Sequence, residues 1–219
     1  MWHSLSGPHL YLAQGDDRAR RYPSDVAVFS ALPDDPGPED FEALRELVGP
    51  GEVATLFRGD ITVPDDWDVI DSFDGVQMTG PTMTPDTPID ARIVALGSLD
   101  VEDMMSLTSR TNPGPFARRT FELGTYVGIR LDDHLVAMAG QRARTPEHLE
   151  ISAVCTDQNY TGRGLGRALV DAQLAIIIES GRRPMLHAAA HNDRAIALYE
   201  FLGFRLRRLV KGVIMRAPQ

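Results

Sequence analysis

Residues 150 to 170 read EISAVCTDQNYTGRGLGRALV, and this stretch decides the fold. Glu150 to Thr156 has the composition of a strand, and glycines at 162, 164 and 166 punctuate the turn that follows. Leu165 to Ser180 then carries apolar residues at 165, 168, 169, 172 and 176, a helical stripe closed by Gly181 with Pro184 shortly after. A strand that runs through such a turn straight into a helix points unpaired backbone N–H groups at one place, with the positive end of the helix dipole behind them. That geometry suits phosphate, and a diphosphate fits. Gly162, Gly164 and Gly166 permit positive φ or a close backbone approach, and Arg163 and Arg167 add charge. The spacing fits neither common nucleotide loop. The residue after Gly166 is Arg167 where G-x-G-x-x-G needs its last glycine, and a Walker loop needs a lysine, whereas the only lysine is Lys211.

Outward from this stretch the order is mixed α/β. Upstream, strands are expected at 91–96, 124–131 and 134–142, the last two a hairpin about Asp132-Asp133, with a helix at 100–109. Downstream follow a strand at 185–190, a helix at 193–202 ended by Gly203, and two short strands around Lys211-Gly212. The first 88 residues are richer in turn formers, with PDDPGPED at 33–40 and TGPTMTPDTP at 79–88, between which a strand at 25–31, a helix at 39–48 and a strand at 52–57 are expected. The Pro/Thr-rich piece at 81–88 reads as a linker. It divides an α/β N-terminal unit, 1–88, from a domain over 89–219.

The chain has 219 residues, 43% hydrophobic and 24% charged, which excludes collagen-like and largely disordered classes. Its longest aliphatic stretch, 174–178, falls far short of the roughly 20 residues of a membrane span, so no membrane role is expected. No secretory leader is visible, and a cytoplasmic protein is expected. The single Cys155 excludes an internal disulfide and a cysteine metal site. The net charge of -9 is unevenly spread: residues 1–90 hold 5 arginines against 18 acids. An acidic chain argues against nucleic acid as partner, and its acidic first half weakly favours a cationic ligand.

Thr161-Gly162-Arg163-Gly164-Leu165-Gly166 resembles the acetyl-CoA loop of the GNAT superfamily of N-acetyltransferases, [Gln/Arg]-x-x-G-x-[Gly/Ala], with Thr161 standing where that pattern has Gln or Arg. HNDRAIALYEFLGF at 191–204 is similar to the superfamily's second signature, Asn-x-x-Ala-x-x-x-Tyr-x-x-x-Gly-Phe. The resemblance covers about residues 89–219 and is closest to the FR-forty-seven-like branch. It implies a mixed, mostly antiparallel sheet flanked by helices, acetyl-CoA as co-substrate, no metal, and direct transfer to the amine of a small molecule or peptide. A homodimer is compatible with it.

The resemblance also implies roles. The backbone of Val154 and Thr156, with Cys155 between them, pairs with the pantetheine amides. Asn192, Ala195 and Tyr199, at i, i+3 and i+7, share a helix face toward the pantetheine arm, and Tyr199 protonates the departing thiolate. A phenol near pKa 10 can do this for a thiol near 8.5. Cys155 reads as a small buried residue rather than a nucleophile. An attacking amine must be neutral. A lysine-like amine and an ordinary carboxylate differ by about six pKa units, roughly 8 kcal/mol, so a glutamate base needs a raised pKa or a relay. Glu150 is the candidate base, with Glu122 and His148 in reserve. His187 and His191 have the i, i+4 spacing of a helical zinc pair, but they lie on an expected strand running into a loop, and no glutamate follows His187. A non-catalytic acyl-CoA binding module on the same fold is the alternative reading.

Overall fold

A computed structural model describes residues 1–84 and 88–219. Eleven strands form one sheet: β1 (Gln14–Gly15), β2 (Arg20–Arg21), β3 (Phe29–Ala31), β4 (Val53–Arg58), β5 (Asp68–Thr79), β6 (Ile93–Leu96), β7 (Tyr126–Leu131), β8 (His134–Arg144), β9 (His148–Thr156), β10 (Arg183–Ala189) and β11 (Arg205–Arg216). Their order is β1-β2-β3-β4-β11-β5-β10-β9-β8-β7-β6. Only β3 with β4 and β9 with β10 pair in parallel; the other neighbours are antiparallel. The helices are α1 (Trp2–Leu5), α2 (Pro38–Val48), α3 (Val101–Thr111), α4 (Leu165–Glu179) and α5 (Asp193–Phe201).

Most expected elements are present within a few residues. The β7–β8 hairpin turns at Asp132 and Asp133, both with positive φ (50° and 63°), as a two-residue primed turn requires. Two expectations are corrected. The two short strands around Lys211-Gly212 are one strand, β11, kept continuous because it is paired on both edges, to β4 and to β5. β5, which pattern reading misses, is one of the two longest strands: the first seven of its residues are exposed and three acids interrupt the apolar alternation. Strands from both sides of residue 88 therefore share the sheet. Of the linker expected at 81–88, residues 85–87 lie outside the described residues.

Alternation along β8 sets the layers. Met138 packs with α3 residues Val101, Met104 and Leu107, whereas Ala137 and Ala139 pack with Leu165 and Leu169 of α4, so the two helices cover opposite faces. In β9, Leu149 and Ile151 face the α4–α5 side, with Val170, Leu174 and Tyr199. Glu150 between them therefore points to the other face, as do Met185 and His187 on either side of Leu186.

Candidate active site

The site begins where two strands stop pairing. β9 and β10 are in register from His148 with Arg183 to Ile151 with Leu186, and beyond that point no ladder joins them, although β9 runs on to Thr156 and β10 to Ala189. A bulge bends β9 at this place. Ala153 and Val154 stand opposite the single residue Ala139, between the pairs Met138–Cys155 and Gly140–Ser152, and Ala153 takes φ +53°. A left-handed alanine costs about 1 kcal/mol, so the local backbone is held by its surroundings. The facing edges of 152–156 and 187–189 are left with donors and acceptors that the sheet does not use, which an extended amide chain can pair.

On the α4–α5 side this gap is overlooked by the start of α4. Gly162 and Gly164 sit at φ +76° and +75°, where a side chain would be strained although a Cβ at either would meet nothing within 4 Å. Gly166 has no such φ; its added Cβ would stand 3.7 Å from the Thr156 hydroxyl. The first helical bond runs from Ala168 N–H to the Gly164 carbonyl, so the N–H groups of Leu165, Gly166 and Arg167 have no partner among the described residues, and no side chain caps them. Arg163 and Arg167 are exposed beside them, the first over the Tyr160 ring at 4.9 Å and the second over Phe201 at 5.1 Å. Thr161 turns its hydroxyl back onto the Gln158 carbonyl, 3.0 Å away.

Tyr199 of α5 is 8% exposed and packs edge-on against Phe204 in the cluster that also holds Val154 and Ala188 from the two gap edges. Burial pushes its phenol up to about 12. Asn192 is the N-cap of α5, its Oδ1 accepting the Ala195 N–H at 3.1 Å. Cys155 is buried, and burial pushes its thiol up to about 11, which suits packing and not nucleophilic attack.

The opposite face holds a cavity of about 890 Å³ whose wall includes Arg58, Gln77, Thr79, His187 and Arg208. Glu150 lies behind that wall, fully buried. Its carboxylate accepts from Arg142 Nε at 3.0 Å and from Arg142 Nη2, from the Ala143 N–H at 2.9 Å and from His187 Nδ1 at 2.8 Å. Burial alone would raise its pKa, but the Arg142 guanidinium, helped by His187, overrides this and holds the carboxyl well below the usual range. A glutamate base needs the opposite shift. Of the two reserves, Glu122 is engaged by Arg119 at 2.8 Å, and His148 lines the cavity. His191 is exposed beyond the end of β10, so it shares no helix face with His187. His187, Gln77 and Arg142 were not legible as site residues, because their meeting depends on which strands become neighbours.

The FR47-like protein family matches residues 126–211. The N-alpha-acetyltransferase RimI of Mycobacterium tuberculosis is 34% identical over 134 residues, 56% of this chain and 83% of that one. A structure of a GNAT-family protein from Novosphingobium aromaticivorans superposes with a TM-score of 0.90 at 35% identity, over 100% of this chain and 96% of that one. The chain belongs to the GNAT superfamily of N-acetyltransferases. Its mixed, mostly antiparallel sheet flanked by helices is the GNAT fold. A mycothiol acetyltransferase of Corynebacterium efficiens is 40% identical over 73 residues, 33% of this chain. The chain spans only 25% of that relative and 35% of an uncharacterised Mycobacterium leprae protein that is 35% identical over 129 residues.

Proposed function

We propose that this GNAT protein transfers the acetyl group of acetyl-CoA to a primary amine by direct attack. The observation that supports this reading best is the gap between β9 and β10, which has a helix start without side-chain caps on one face of the sheet and a cavity on the other. The N–H groups of Leu165, Gly166 and Arg167, with Arg163 and Arg167, would hold the diphosphate, and the edge of β9 at Val154 and Thr156 would pair with the pantetheine amides. When bound, acetyl-CoA supplies an acyl group on a good leaving thiolate. Tyr199 stays protonated at neutral pH because burial keeps it near 12, so it has a proton to give. Cys155, held as a thiol, leaves no reason for an acyl-enzyme.

An amine acceptor agrees with the relative named an N-alpha-acetyltransferase. The acidic excess of the first half says little about that acceptor. Of its described carboxylates only Asp34 and Asp60 line the cavity, joined by Glu147, and they share its wall with Arg58, Arg207 and Arg208.

Calorimetric titration of acetyl-CoA and CoA into the protein and into a folded Gly164→Trp variant tests the donor half of the proposal. Micromolar binding that disappears in the variant is expected, followed by release of CoA thiol with amines. Absence of binding to the folded protein would sink the reading.

A further inference from the structure

His187 stands at the residue where β9 and β10 part, and the hydrogen bonds around it fix which ring nitrogen carries a hydrogen. Arg207 Nη1 and, at 3.2 Å, Arg208 Nε both donate to one atom of the Gln77 amide. Arginine cannot accept, so that atom is the oxygen, and the amide nitrogen is the one 2.8 Å from His187 Nε2. An amide nitrogen only donates, so His187 Nε2 accepts. The ring hydrogen is then on Nδ1, donated to Glu150 Oε1 at 2.8 Å. In this arrangement Nδ1 is the donor and Nε2 the acceptor. Phe57 meets the ring edge-on, with centroids 4.9 Å apart, and limits its rotation. The ring is 9% exposed, and that exposure opens on the cavity.

We propose that His187 is the proton acceptor for the attacking amine, positioned by Glu150 behind it and by Gln77 beside it in the cavity wall. The proposal rests on the acetyl-CoA-to-amine reading above. A neutral amine takes the place of the Gln77 N–H at Nε2. Its nitrogen forms the N–C bond and the C–S bond breaks. The thiolate leaves with that electron pair and takes the Tyr199 proton, and the proton shed by nitrogen goes to His187 Nε2. Solvent then returns one proton from His187 to Tyr199, so amine and thioester become amide and thiol with nothing left over. An imidazole, ordinarily near 6.5, is about two units closer to an amine than a carboxylate is. Glu150, which does not line the cavity, acts through the ring as a positioning residue.

The test uses the full chain, acetyl-CoA, and three amine probes: an alanine-initiated peptide, a free amino acid and an alkyl diamine. His187→Gln is expected to bind acetyl-CoA within threefold of the parent protein while CoA release falls at least about 100-fold, within the usual range for a lost general base. Added imidazole restores part of the rate in His187→Gly, which a merely structural histidine would not show. Glu150→Gln lowers kcat about tenfold and leaves KM unchanged. Nitrogen-15 NMR of the protein without ligand reports the Nδ1–H tautomer of His187, independently of turnover. A His187→Gln rate within threefold of the parent, or an Nε2–H tautomer, overturns the proposal. A parent protein that binds acetyl-CoA but acetylates none of the probes overturns the amine reading and this proposal with it, whereas one that does not bind acetyl-CoA fails earlier, at the donor.

Discussion

The two faces of the sheet at the β9–β10 gap are built on opposite principles. On the α4 side the polar groups are backbone and have no partners among the described residues: three N–H groups at the helix start and two strand edges. On the cavity side they are side chains and are satisfied: the Glu150 carboxylate accepts four bonds from three residues, and the Gln77 amide accepts two and donates one. Unmet backbone donors define a place for a ligand of fixed shape, because only a group with complementary acceptors recovers the lost bonds. Side chains already paired in this way offer a ligand no lost bonds to recover, and what they fix instead is protonation and orientation. The same gap thus separates a surface specialised for grip from one specialised for proton placement.

The largest effect is expected from breaking the satisfied face. Glu150→Ala leaves the Arg142 guanidinium buried without its carboxylate, and unfolding by urea should show a loss of about 3–5 kcal/mol. The pH dependence follows from the same pair. The Glu150 pKa is depressed in the folded chain relative to its ordinary 4.5, so the stability it contributes is fully present above that value and is lost as pH falls below it. Glu150→Gln should therefore unfold with a shallower acid dependence between about pH 5 and 2 than the parent.

Capping the bare face comes next. Gly164→Asp tolerates a left-handed φ better than most residues and offers a carboxylate to the α4 N–H groups. Acetyl-CoA affinity by calorimetry should fall about 100-fold, roughly 2.7 kcal/mol, with the thermal midpoint nearly unchanged. Equal affinity would mean that the helix start holds no anion. The smallest effect is at the capped helix used as control. Asn192→Ala removes the α5 cap and should cost about 1 kcal/mol in thermal unfolding while leaving acetyl-CoA affinity within about threefold.

The bare face was the more legible of the two. Glycine spacing ahead of an amphipathic helix is a local signal, and the α4 start and Tyr199 follow from it. The satisfied face joins residues 77, 142, 150, 187, 207 and 208, which lie on five strands, and no local pattern announces such a meeting. Glu150 was visible as a carboxylate at the start of the strand before the loop, but the sign of its pKa shift depends on Arg142 arriving from β8. β5 escaped for a similar reason: its partners β10 and β11 both come later in sequence, and pairing rather than alternation makes it a strand. The expected break in β11 failed because two neighbours stabilise what Lys211-Gly212 alone would interrupt.

Because β11 is inserted between β4 and β5, the seam that joins the early strands to the rest of the sheet is sewn by a segment synthesised about 130 residues after β5 ends, at typical rates some ten seconds or more later. Until then β4 and the long β5 have open edges on a ribosome-bound chain, in the part of the protein where the acidic residues are densest. Charge on an unpaired strand discourages association with other chains, and Asp68, Asp71 and Asp74 place three such charges along β5.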